Sequence, residues 1–333
     1  GQPSGMLFEM NDFIDTKVPP ISAAEMERGV RLANDAYLSQ GITSLQDATV
    51  SNDIDTWKFF KRLRDSGSLR PRLSLMMGIQ CLDRMMEEGF KPRHGDDSMR
   101  LGALKVMLSE ARGCLYPDRE DLRQMVAKAH ENGFQIAIHA IEQSTVDAAV
   151  SVLESIYERT PKNNHRHRIE HCSVCPDTLL DRLENIRALV VTQPCFIYHS
   201  GERYMETVPE EQQPLMHRLS SFLKSGLRPC AGSDNPVVPV NPLLSMHTAV
   251  NRKTQQGNTF FSRERVLPSA ALEMHTRAPA YASFDEDIKG SIIPGKLADF
   301  TILSDDPLRI APEKIRDIKV EATIIGGEVV WRS

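Results

Sequence analysis

Three residues in the 333-residue chain combine into a set that can do hydrolytic chemistry: His139 in "QIAIHAI", His171 in "HRHRIEHC" and Asp234 in "LRPCAGSDNP". Neutral imidazoles and a carboxylate are the usual ligands of a divalent ion that activates water, and a carboxylate touching both ion and water can act as general base. Asp234 is the expected base. Each residue also has a plainer reading. A lone histidine near a strand end is often only a satisfied polar group, and Gly232-Ser233-Asp234-Asn235-Pro236 reads equally well as a turn. Lys105, in "LGALKVML", is a fourth candidate, because a lysine in an apolar strand is costly to bury unless paired or modified. Its plainer reading is a solvated or salt-bridged lysine. Gln193 and Tyr198 are candidate substrate contacts that packing explains equally well.

"HRHRIEHC" holds a literal H-x-H, His165-Arg166-His167, beside the isolated His171. A strand advances about 3.3 Å per residue, which puts His167 about 13 Å and His165 about 20 Å from His171. They cannot share its ion. His171 is the expected ligand, and the other two mark the start of the strand. Arg168 is expected to pair with a carboxylate. His199, His217, His247 and His275 fall in predicted loops or helices, where surface or capping roles are the default.

The elements that must position these residues follow one rhythm. Short apolar runs beginning near Gly41, Arg70, Leu101, Phe134, His167, Ala188 and Leu227 each precede an amphipathic segment. A spacing of roughly thirty residues is the size of a βαβ unit, so the sheet is parallel. Lys105, His139, His171, Gln193 and Asp234 each stand toward the end of a different strand. A TIM-type (β/α)8 barrel puts catalytic groups at those carboxyl ends, around one mouth and at one level. No G-x-G-x-x-G turn supports a dinucleotide-binding alternative. From about residue 283 the segments become strand-like with Gly and Pro turns, so residues 1–282 read as the α/β barrel domain and 283–333 as a small β appendage.

Hydrophobic residues at 41%, charged residues at 26% and a net charge of -5 describe a globular chain with no basic face for nucleic acid or anionic lipid. The expected partner is a small-molecule substrate, with self-association into a homo-oligomer allowed. Six scattered cysteines in a chain this large are read as reduced thiols in the cytoplasm, Cys172 and Cys175 included, despite their C-x-x-C spacing. "GQPSGMLFEMNDFIDTKVPP" carries neither a signal peptide nor a membrane span.

In the same order, "QIAIHAI", "HRHRIEHC", "VVTQPCF", "LRPCAGSDNPVVPVNPL" and "GSIIPGKLADFTILSDDPL" resemble the amidohydrolase superfamily, specifically its amidohydrolase-3 group, over nearly the whole chain from Gly41. The resemblance implies a metal-dependent hydrolase of C–N bonds in amides, cyclic amides or formamide-like substrates. It implies a distorted TIM barrel and a β-sandwich drawing strands from both chain ends. It makes His139, His171 and Asp234 metal ligands, zinc foremost, with one or two ions. Lys105 matches a lysine that many relatives carboxylate to bridge two metals. The family's first-strand H-x-H has no counterpart upstream of Gly41, so strands two to eight are expected here, leaving two unpaired sheet edges to be filled by an upstream segment or another element. Two other readings stand beside hydrolysis. One is a non-catalytic or truncated relative acting as a binding or regulatory module; the other is a metal-independent isomerase or aldolase using Lys105 as a Schiff-base amine.

Overall fold

A computed structural model describes Gly5, residues 13–14, 16–111 and 113–333. Apart from Gly5, the opening "GQPSGMLFEM" lies outside the described residues, and the sequence reading of it is not addressed by them. The strands are β1 (Ser44–Asp47), β2 (Arg72–Gly78), β3 (Met99–Met107), β4 (Ser109–Ala111), β5 (Cys114–Tyr116), β6 (Ile136–Ala140), β7 (Arg168–His171), β8 (Leu189–Thr192) and β9 (Cys230–Ala231). Seven of them form one sheet in the order β1-β2-β3-β6-β7-β8-β9, every pairing parallel. The segment after β3 forms the hairpin β4-β5.

Alternation along the strands sorts the sheet into two faces. Leu75, Met77, Leu104, Val106, Ile136, Ile138 and Ile169 belong to the large core packed under the flanking helices. Met76, Ala103 and Ala137 form a separate, small cluster on the concave face. That face must be tightly curved. The Arg168 guanidinium on β7 donates to the side-chain amide oxygen of Gln46 on β1, four places away in the strand order, where a flat sheet would hold the strands about 19 Å apart. The sheet is therefore a curled partial barrel with open edges at β1 and β9. Helix Arg277–Ala282 lies at both edges. Ala278 and Tyr281 pack against Leu189, Val191 and Cys230, and the Pro279 carbonyl accepts the Gln46 amide at 3.0 Å.

The chain end forms an antiparallel sheet of β10 (Phe300–Leu303), β11 (Val320–Ile325) and β12 (Glu328–Arg332). Asp299 anchors it to the barrel through a two-pronged pair with Arg72 (2.6 and 2.9 Å), and the Thr323 hydroxyl donates to the Leu38 carbonyl (2.6 Å) at the end of helix Ala23–Ser39. Gly41 sits where that helix turns into β1, at φ 75°, and a Cβ there would come within 2.3 Å of the Thr301 methyl. Only glycine meets both conditions. A second layer facing this sheet is not found among the described residues, so the expected sandwich is present as three strands. No helix among the described residues is long and apolar enough to cross a membrane.

Candidate active site

His139 and His171 meet at the carboxyl ends of β6 and β7, with ring centroids 4.4 Å apart and planes at 70°. His139 reaches the concave face by ordinary alternation, two residues after Ala137. His171 does not. Alternation would send it outward after Ile169, but its backbone is left-handed (φ 72°), as is that of Cys172 (φ 46°), and this turn aims the ring at His139. Such a conformation costs on the order of 1–3 kcal/mol at a non-glycine residue and must be held by its surroundings. Here the loop is pinned to the end of β6 by Cys172 N–H to Ala140 O (2.9 Å) and Val174 N–H to Ile141 O (3.0 Å).

Gln193, immediately beyond β8, places its carbonyl oxygen 2.9 Å from His171 Nδ1. Nδ1–H therefore donates to the amide, and the Nε2 lone pair is left for a ligand. Burial is the main cause that lowers the basicity of both imidazoles. His139 falls to about 3, with the charges of His171 and Lys105 adding to burial, and in His171 the pull of Asp234 opposes it only in part. Both rings are neutral near pH 7, the form that binds metal.

Lys105 and Asp234 act on this pair through their charges, the lysine from deeper along its strand. Lys105 pairs with Ala137 whereas Met107 pairs with His139, so the lysine lies two residues deeper, about 7 Å along the strand. It is 4% exposed and makes no ion pair within 4.0 Å among the described residues. Burial pushes its ammonium toward the neutral amine, seconded by Arg168 and opposed by Glu170. Burial alone would raise Glu170, but Arg168 (2.7 and 3.0 Å) and Lys105 hold it below the usual carboxylate range. Arg168 thus pairs with a carboxylate, as expected. Asp234 lies three residues past β9, exposed, at φ 54°, its carbonyl accepting from Val237 N–H at 2.8 Å. The turn is present, and from it the Asp234 charge reaches His171 and Lys105. Tyr198, half-buried on helix Cys195–Thr207, packs edge-on to His199 and is not tied to this group.

Two neutral imidazoles fit a divalent ion. They are only the start of a complete shell: among the described residues no three His, Cys, Asp or Glu side chains are arranged to grip one.

The literal H-x-H lies outside the site. His167 Nδ1 accepts from Ile136 N–H (3.2 Å), so its Nε2–H donates to His130 Nδ1 (2.8 Å), and His130 passes its own proton to the Thr160 carbonyl (2.7 Å). His165 accepts from the His167 N–H and donates to the Ile186 carbonyl. These imidazoles stitch β6, β7 and two helix ends together at the barrel's entrance. The sequence reading also missed His217, which is fully buried rather than on the surface. Its Nδ1 lies 3.0 Å from the Thr192 hydroxyl, and its backbone N–H bonds Ser173 O, two residues past His171. Only its place in the fold reveals this.

A curled parallel sheet with a histidine pair at its strand ends is the arrangement in which barrel-type folds gather polar groups at the strand termini. The chain matches the profile of the amidohydrolase family over residues 1–331 and belongs to that family. YtcJ of Bacillus subtilis strain 168, by name an amidohydrolase, is 26% identical over 99% of this chain and 66% of its own length. The N-substituted formamide deformylase of Arthrobacter pascens is 25% identical over 98% of this chain and 65% of its own length. A solved structure, an uncharacterized metal-dependent hydrolase from Pyrococcus horikoshii, superposes with a TM-score of 0.75 at 24% identity, covering 88% of this chain and 62% of that one. The chain thus spans just under two-thirds of the length of these curated relatives.

Proposed function

We propose that this chain forms a metal-dependent hydrolase that cleaves a C–N bond of an amide, cyclic amide or formamide-like substrate. The observation that carries the reading is the pair of neutral imidazoles in ring contact at 4.4 Å, one of them with Nδ1 committed to Gln193. His139 and His171 would supply the first two donors to the ion, and Asp234 the carboxylate once its exposed turn is drawn in on binding; imidazole and carboxylate donors favour zinc. Bound there, a divalent ion supplies Lewis acidity and lowers the pKa of water to near ~7. Asp234 takes a proton from the attacking water and returns it to the departing nitrogen; the hydroxyl ends on the carbonyl carbon as the C–N bond breaks. Lys105, driven toward the free amine by burial, would carry a carbamate at Nζ after taking up carbon dioxide with loss of a proton, and would then offer the ion a further anionic donor from below the histidines. Gln193 orients His171, and Tyr198 borders the substrate on the helix that follows. The relationship to a formamide deformylase makes N-substituted formamides the first substrates to try.

The test is metal content followed by turnover of an amide and formamide panel. Wild type is expected to retain a divalent ion and to lose activity on chelation, and Asp234→Asn to lose about 10²–10⁴-fold in rate. Equal rates for wild type and Asp234→Asn would remove Asp234 as the base. The non-catalytic reading keeps one specific support, the lack of a three-donor grip among the described residues. It predicts little bound metal and no turnover.

A further inference from the structure

At the barrel's entrance, the end opposite His139 and His171, a cavity of about 260 Å³ opens between the starts of β3, β6 and β7 and the segment after helix Arg277–Ala282. Its lining includes two permanent cations, Arg93 and Lys162, and no aspartate or glutamate. The carboxylates just beyond its Ser283–Phe284 wall are already committed: Asp285 to Arg100 and Lys289, Glu286 to Arg166. An excess of positive charge therefore faces the space. Glu131, beside His130, is a carboxylate at the edge of this space and offsets one charge, so the balance of two lining cations still favours an anion.

Three imidazoles also line it, His130, His165 and His167, and their protons are spent within the wall as described above. They present flat neutral rings and do not compete for the ligand's charge. Leu101, Phe134 and Phe284 extend this flat wall. The Arg93 guanidinium lies 5.3 Å from the Phe284 ring centre, which sets a cation at the rim of an aromatic surface. Lys162 donates to the carbonyls of His130 and Glu131 (3.3 Å to the latter), and its third N–H remains for a ligand. The volume is just under the range of roughly 300–1,000 Å³ for ordinary small-molecule sites, which limits the occupant to about one ring.

We infer that this cavity binds a one-ring aromatic anion, its ring against Phe134 and Phe284 and its charged group between Arg93 and Lys162. The site is independent of the hydrolytic reading, because it lies at the other end of the sheet and shares no residue with it. Benzoate is the probe, titrated calorimetrically into the full chain, with neutral benzamide and ring-free inorganic phosphate as comparisons. Benzoate should bind at least tenfold more tightly than either. Arg93→Ala, whose side chain is exposed and makes no hydrogen bond or ion pair among the described residues, should weaken benzoate at least tenfold, and Arg93→Ala with Lys162→Ala should abolish measurable binding. Asp234→Asn should bind benzoate like wild type. Absence of benzoate binding, an unchanged affinity in Arg93→Ala, or loss in Asp234→Asn with retention in the double variant would each overturn the assignment.

Discussion

The role of Gln193 is to fix which nitrogen of His171 is offered to a ligand. A ligating histidine is commonly held by a carbonyl or carboxylate on its other nitrogen, and losing such a partner typically costs 10–100-fold in metal affinity. Gln193 is 3% exposed and its amide nitrogen lies 3.5 Å from the Val191 carbonyl, so both ends of the amide are placed by the strand end. Gln193→Ala should therefore weaken zinc binding about 10–100-fold in competition with a chromogenic chelator while leaving the melting temperature close to wild type. A retained affinity would mean that the loop alone orients His171. The sequence suggested Gln193 only as a substrate contact, because nothing in "VVTQPCF" tells that its amide turns back to the neighbouring strand.

Among the elements, the joint between helix Ala23–Ser39 and β1 has the least tolerance. Gly41 combines a left-handed backbone with the Thr301 methyl in the space of its missing side chain, and its carbonyl accepts from the Thr301 hydroxyl at 2.6 Å. Gly41→Val brings a β-branched side chain into both constraints and should cost about 3 kcal/mol in a urea unfolding measurement. A loss below about 0.5 kcal/mol would show that the joint yields. At the same amino-terminal end of the strands, the His130–His167 chain does for β6 and β7 what glycine does here, fixing a junction through one permitted chemical state.

For the whole molecule, that state makes stability depend on pH. Burial lowers His130, His165 (to about 4) and His167 (well below the usual imidazole range), and it lowers His217 to about 3. Each folded-state pKa is below the unfolded value of about 6.5, so the unfolded chain takes up protons first as the pH falls. The stabilisation is complete above about pH 6.5 and is lost progressively toward pH 4 and below. A buried imidazole such as His167 contributes a loss on the order of 1–2 kcal/mol between pH 6.5 and 5. The urea midpoint should fall from pH 7 to pH 5, and a midpoint that is flat or rising over that interval would contradict neutral burial of these rings.

The sequence by itself determined the parallel sheet, the strands that carry Lys105, His139, His171, Gln193 and Asp234, and the exclusion of His165 and His167 from the site. Period-two alternation, thirty-residue spacing and the fixed rise of a strand are local properties, written in consecutive residues. Tertiary structure decided the rest. Strand alternation points His171 away from His139, and only the left-handed turn after β7, braced by carbonyls of β6, reverses it. The depth of Lys105 below the histidines depends on register between strands, and the burial of His217 on a loop folding back over residues 173–175. None of these is a property of a segment alone. Each is set by which segments pack side by side, because only contact across the sheet can hold a strained backbone or keep an imidazole dry.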